Sequence, residues 1–235
     1  MMSLVAQSGR ITYVETVKLD IKIEGEQAEQ FAGLLPKENV SEKTLTYTPE
    51  VSLFESVAKE EEAPQEMSGG GVFVVYNQND DKLFFDIVNQ KRIEQRDFMG
   101  RMFLVESDVD TLNWKITGNV RKILDYNCME AVTERDENKI TAWFAPEIPV
   151  SSGPGSLHGL PGLILGVDVN DGNRVTIATA AESGNIAANA VVRPKKGKKV
   201  TRAEFDKIVE EKNKEMGIEP GKSGTTSVKM KIITR

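Results

Sequence analysis

Trp143 to Leu165 reads WFAPEIPVSSGPGSLHGLPGLIL, and this stretch decides how the chain can fold. It holds four of the nine prolines, four of the nineteen glycines, the only histidine and one of the two tryptophans. Pro146, Pro149, Pro154 and Pro161 each fix φ at about −65° and push the preceding residue toward extended geometry, so no helix can form here. Gly153-Pro154-Gly155 and Pro161-Gly162 read as turns. Between the turns sit Trp143, Phe144, Ile148, Leu160, Leu163, Ile164 and Leu165. A loop with that much apolar surface is expected to lie across a sheet face, with Gly159 and Gly162 allowing close backbone approach.

Outward from this ribbon, the chain reads as strands. Ile11, Tyr13, Val17, Leu19, Ile21 and Ile23 alternate with polar residues, which predicts one long, twisted and bulged strand. Glu26–Leu35 has helical spacing and stops at Pro36. Lys43–Val57 is strand broken by Pro49, and the acidic, glycine-rich Lys59–Gly71 reads as a solvated hairpin loop. Val72–Asn77, Lys82–Asn89, Lys91–Phe98 and Arg101–Glu106 follow as strands with short turns. Segments about Trp114, Cys128 and Ile140 also alternate. Leu163–Val169 and Arg174–Ala180 are joined by Asn170-Asp171-Gly172, a strong hairpin turn.

The one long helix is announced by Thr201-Arg202-Ala203-Glu204, a capping box. Phe205, Ile208, Val209 and Met216 make its apolar stripe, and Gly217 its stop. Val228, Met230 and Ile232 alternate in a last strand. The expected fold is mainly β. It is a curved antiparallel sheet or half-open barrel of about ten strands in a single domain, residues 8–235, with the C-terminal helix packed on its concave or open side. Such a fold is similar to the half-barrels of bacterial lipoprotein-carrier proteins, an analogy of fold alone.

The same ribbon carries a resemblance. The order W-F-x-P-E-I-P-x-x-x-G-P-x-x-x-x-G-L-P-G-L-I-L resembles the signature of the GLPGLI family, small exported proteins typical of the Bacteroidetes. QSGRITYVE near the start, WKITGNVRKILDYNCMEAV and KGKKVTRAEFDKIVEEKNKEM are similar to that family as well. The resemblance implies export and a mainly β fold, and brings no assigned activity. Met1–Gln7 (MMSLVAQ) fits it as the tail of a signal peptide.

Composition narrows the function classes. A net charge of −6 and a pI near 5.1 argue against a nucleic-acid binder. No apolar run is long enough for a membrane-spanning helix. Cys128 and His158 are the only soft ligands and are not spaced as a metal motif, so no metal or cofactor is expected. Ser156 lies two residues from His158, but no nucleophile elbow surrounds it, and Cys128 sits among apolar neighbours as a small hydrophobe. Gly217-Ile218-Glu219-Pro220-Gly221-Lys222-Ser223 is one residue short of a P-loop and lies between helix and strand in the wrong order. Arg193, Lys195, Lys196, Lys198, Lys199 and Arg202 form the one basic run, read as solvated surface, with anionic lipid or polysaccharide contact as the sharper reading.

The first expectation is therefore an exported, non-catalytic protein of the periplasm or outer membrane. It would hold a lipid-like apolar ligand, with the ribbon lining or lidding the cavity. The second is an assembly partner of an outer-membrane complex that uses the ribbon for recognition; an enzyme comes third. The candidate binding residues are Trp143, Phe144, Pro146, Pro149, Pro154, His158, Gly159, Leu160, Pro161, Gly162, Leu163 and Ile164.

Overall fold

The alternation that begins at Ile11 becomes β1 (Gly9–Glu24), sixteen residues long and the strand on which the sheet is assembled. The computed structural model describes residues 8–24, 36–57, 81–184, 186, 190–215 and 226–231. The expected helix at Glu26–Leu35, the loop at Lys59–Gly71, the strand Val72–Asn77, the leader residues 1–7, Met216 and the stretch Gly217–Ser223 lie outside them. β2 (Glu38–Tyr47) and β3 (Val51–Ser56) meet around Pro49, where proline cannot continue the ladder. β4 (Lys82–Asp86), β5 (Lys91–Phe98) and β6 (Arg101–Asp108) form a meander.

β7 (Lys115–Ile123), β8 (Tyr126–Arg135) and β9 (Asn138–Ala145) form a second meander. The ribbon then leads into β10 (Leu163–Val169) and β11 (Arg174–Ser183). Their turn has Asn170, Asp171 and Gly172 all at positive φ, as its sequence requires. β12 (Lys198–Thr201), helix α1 (Arg202–Glu215) and β13 (Thr226–Lys231) follow.

The thirteen strands among the described residues belong to one sheet. Twelve of them run β12-β6-β5-β4-β3-β2-β1-β11-β10-β9-β8-β7, and β13 pairs with β1. β1 shares its length among partners. Gly9–Lys18 bonds to β2, Gly9–Val17 to β11 with a bulge at Thr12/Tyr13, and Leu19–Glu24 to β13. Two pairings depart from the antiparallel expectation: β12 with β6, and β13 with β1, are parallel. Both strands are reached by long connections rather than hairpins, which is the condition for parallel pairing.

The sheet is open and bent. Tyr47 on β2 and Tyr126 on β8 are five strands apart, about 24 Å in a flat sheet. Yet Tyr126 packs against the cluster that contains Tyr47. Ile11, Tyr13, Leu45 and Tyr47 likewise share one packed cluster with Ile123, Cys128, Ala145, Leu163 and Leu165. Bending brings these side chains together from both sides. They fill the bend as a core.

The capping box of α1 forms as its sequence dictates. Glu204 N donates to Thr201 Oγ1 at 3.3 Å, and Thr201 N donates to Glu204 Oε2 at 2.7 Å. Phe205, 4% exposed, meets Phe98 and Phe103 edge-on and packs with Val105 and Val200. The helix therefore covers β5, β6 and β12 at one end of the strand order, on the sheet face that, followed through the paired residues Val105, Glu94, Leu83, Phe54, Leu45 and Ile11, also carries the cluster inside the bend. Its position follows from β12, which delivers the chain directly to Arg202 beside β6. Beneath it Glu94, 4% exposed, is met by three arginines: Arg92 at 3.1 Å, Arg96 at 2.8 Å and Arg202 at 3.3 Å.

Candidate functional site

The ribbon between β9 and β10 is held from four directions. Ile148 N donates to the Ala145 carbonyl, Leu163 N to that of Ile148 and Ile164 N to that of Ser152, so the ribbon folds back on its own β10. Ser152 Oγ lies 2.7 Å from Ser52 Oγ on β3. The His158 ring meets Phe85 on β4 edge-on at 5.2 Å, while the His158 carbonyl accepts from Trp114 Nε1 at 2.7 Å. Phe85 is on β4 and Trp114 immediately precedes β7, strands eight places apart in the sheet order, so His158 spans the bend. Tyr13 on β1 donates its hydroxyl to the Ile164 carbonyl.

This geometry divides the candidate residues. Leu163 and Ile164 are 0% exposed and Leu160 is 2%. Leu163 packs in the cluster inside the bend, whereas Phe144, Leu157, Leu160 and Ile164 pack in a second cluster with Ala131, Ile140 and Val167. The apolar run is therefore gripped on both faces of β10. Pro154 and Gly162 are buried with it, and His158 is 8% exposed. Trp143 is half-buried beneath the Arg121 guanidinium, 4.6 Å from its ring centre. Pro146, Pro149, Gly159 and Pro161 remain exposed as a rim.

The two glycines act differently. A Cβ on Gly162 would stand 2.3 Å from the Ala145 carbonyl oxygen, so close backbone approach excludes any side chain there. Gly159 meets only Trp114, at 3.7 Å, and its φ of +88° is what calls for glycine. Gly153 is a close approach like Gly162, with Ile164 Cβ 2.7 Å from the position its own Cβ would take. Tyr13 and Trp114 are anchors that sequence alone did not single out. A polar tip on an otherwise apolar alternation was the available signal.

The polar residues of the ribbon do not assemble a nucleophilic centre. His158 Nδ1 lies 3.0 Å from the Ser156 carbonyl, which can only accept, so that nitrogen carries the proton. Ser156 Oγ accepts instead from Arg135 Nη1 at 3.0 Å. Cys128 belongs to the cluster inside the bend, and burial pushes its thiol up to about 11. Among the described residues no group of three or more His, Cys, Asp or Glu side chains could hold a metal ion.

Two clefts open at the other end of the sheet, on the face turned away from α1. One, of about 590 Å³, is floored by Phe84 and Ile93 and edged by Asp86, Lys91 and Asp108. The other, of about 490 Å³, has Leu104 and Pro194 with Lys195 and Lys199 around them. The Arg193–Glu106 ion pair, at 3.3 Å, belongs to both and divides them. The basic run singled out in the sequence thus lies along the outer strand β12 and the segment that leads to it.

Comparison with known proteins agrees with this geometry. A family model described as a protein of unknown function (Porph_ging) matches residues 132–166, from late β8 through the ribbon to Gly166. No curated protein matches the chain. Among solved structures, the fold is similar to that of part of PNGF-II. Its P21 form aligns with a TM-score of 0.58 at 17% identity, and its C2 form with 0.57 at 18%. Each alignment covers 87% of this chain but 33% of PNGF-II, so the chain spans about a third of that protein's length.

Proposed function

We propose that this chain is an exported, non-catalytic protein of the cell envelope that recognises a protein partner, a component of an outer-membrane assembly, with the rim of its proline-braced ribbon. One observation carries the reading. The large apolar side chains of the ribbon are consumed as core, while Pro146, Pro149, Gly159 and Pro161 stand exposed on a backbone they cannot leave. A rim fixed in this way binds without an ordering cost, which suits recognition. The resemblance of the motif to the GLPGLI family supports export. PNGF-II carries the same fold as about a third of a larger chain, which fits a recognition module.

The experiment places a photo-crosslinking residue at Pro149 or Pro161 in cells that make the protein. A discrete adduct in the envelope fraction, abolished by Pro161→Arg when the crosslinker stands at Pro149, is the expected result. A folded, exported protein that yields no adduct from either position overturns the reading.

The bend favours a second reading, in which an apolar ligand occupies the inside of the sheet. Tyr13, Tyr47, Leu163 and Leu165 already fill that space against one another, which ranks it lower. A native mass that includes a co-purified lipid would reverse the order.

A further inference from the structure

We propose that the outer edge of β12 is a docking edge for an extended acidic segment of a partner protein, which adds to the sheet as a further strand. This rests on the interaction reading above but uses a different surface. β12 pairs with β6 on one side, and among the described residues no strand covers its other side. Apart from the Thr201 N–H, which Glu204 accepts, its outward N–H and C=O groups are a template for an incoming strand.

Charge selects the occupant. Arg193, Lys195, Lys196, Lys198 and Lys199 are all exposed, in a chain whose net charge is −6. Only Arg193 has an ion-pair partner among the described residues, namely Glu106. Side chains alternate along a strand. Lys199, paired with Leu104, faces the second cleft beside Lys195, while Lys198 lies on the Val200 side with α1. A strand laid along this edge has lysines on both of its faces. Edge lysines repel a second copy of the same basic edge, yet favour an acidic strand. A polyanion without a peptide backbone could match the lysines, but it would leave the edge groups of β12 unpaired.

The probe is a labelled, end-blocked peptide of alternating Glu and Val, about ten residues long, the length of a typical strand or a little more, titrated into the purified protein by fluorescence anisotropy. Saturable binding that weakens with salt is expected. It should be lost when Glu is replaced by Lys or when alternate amides are N-methylated. The surface variant Lys195→Glu/Lys199→Glu, checked for folding by circular dichroism, should bind about tenfold more weakly or worse. Absence of binding overturns the proposal. Binding indifferent to N-methylation does so too, since it would show charge attraction without strand addition, as does tighter capture of phosphatidylglycerol vesicles than of the peptide. Pro161→Arg leaves peptide binding unchanged, so failure of the rim and failure of this edge are separate results.

Discussion

The hydroxyl of Tyr13 donates to the backbone carbonyl of Ile164 at 2.7 Å, a buried bond between residues 151 positions apart. It ties the central strand to the apolar end of the ribbon. Removing the hydroxyl leaves the Ile164 carbonyl short of a partner it cannot replace with water. Tyr13→Phe should cost about 2 kcal/mol in urea unfolding. An unchanged midpoint would show that the bond contributes nothing to stability.

Gly162 and Gly159 should respond unequally to substitution. At Gly162 a Cβ collides with backbone, the Ala145 carbonyl, and backbone cannot swing aside. Gly162→Ala is expected to lose about 3 kcal/mol or more. Gly159→Ala meets no collision and has only its positive φ to bear, about 1 kcal/mol. Thermal melts of the two variants give the order directly, and equal losses would contradict it.

Alkaline pH should loosen the bend. Burial, with Tyr126 nearby, raises the Tyr47 phenol to about 12, and burial raises the Cys128 thiol to about 11. Both groups are raised above their unfolded values, so above those values the unfolded chain binds fewer protons than the folded one, and stability falls with pH. Their contribution is complete below pH about 9 and is lost as pH climbs through about 11 and then about 12. Tyrosinate absorbance followed alongside unfolding should show late ionisation, and Tyr47→Phe should flatten the upper part of the decline. In the native state Cys128 should resist thiol reagents until the chain unfolds.

Glu94 holds α1 to the sheet through Arg202, while Arg92 and Arg96 of its own strand complete its ion pairs. Glu94→Gln leaves Arg92, whose side chain is 9% exposed, as an uncompensated buried charge. The expected loss is about 3 kcal/mol, little changed by added salt because the group is shielded from solvent. A loss that disappears in salt would place the pair at the surface instead.

What could be read from the sequence was local physics. The alternation of β1, the Asn170-Asp171-Gly172 turn and the Thr201–Glu204 cap each rest on neighbours within a few residues. Each took the form its residues require. The burial of Leu160–Leu165 was legible for the same reason, since an apolar run on a rigid backbone has few places to go. The grip of Ser52, Phe85 and Trp114 on the ribbon was not, because it depends on how far the sheet bends. The parallel pairings of β12 and β13 were hidden too, because strand direction is set by a distant partner. Gly159 was read as a close approach when it serves a positive φ; glycine permits either, and only coordinates distinguish them.

The position of β1 has a consequence for how the chain is made. Thr12 receives a bond from Thr179, 167 positions later, so β1 is left without that neighbour until β11 has emerged. During that interval the flank of Gly9–Val17 that β11 will cover stays open to whatever is near. A holding chaperone that shields this flank should raise the yield of native protein, and a slow refolding phase should be the rule in its absence.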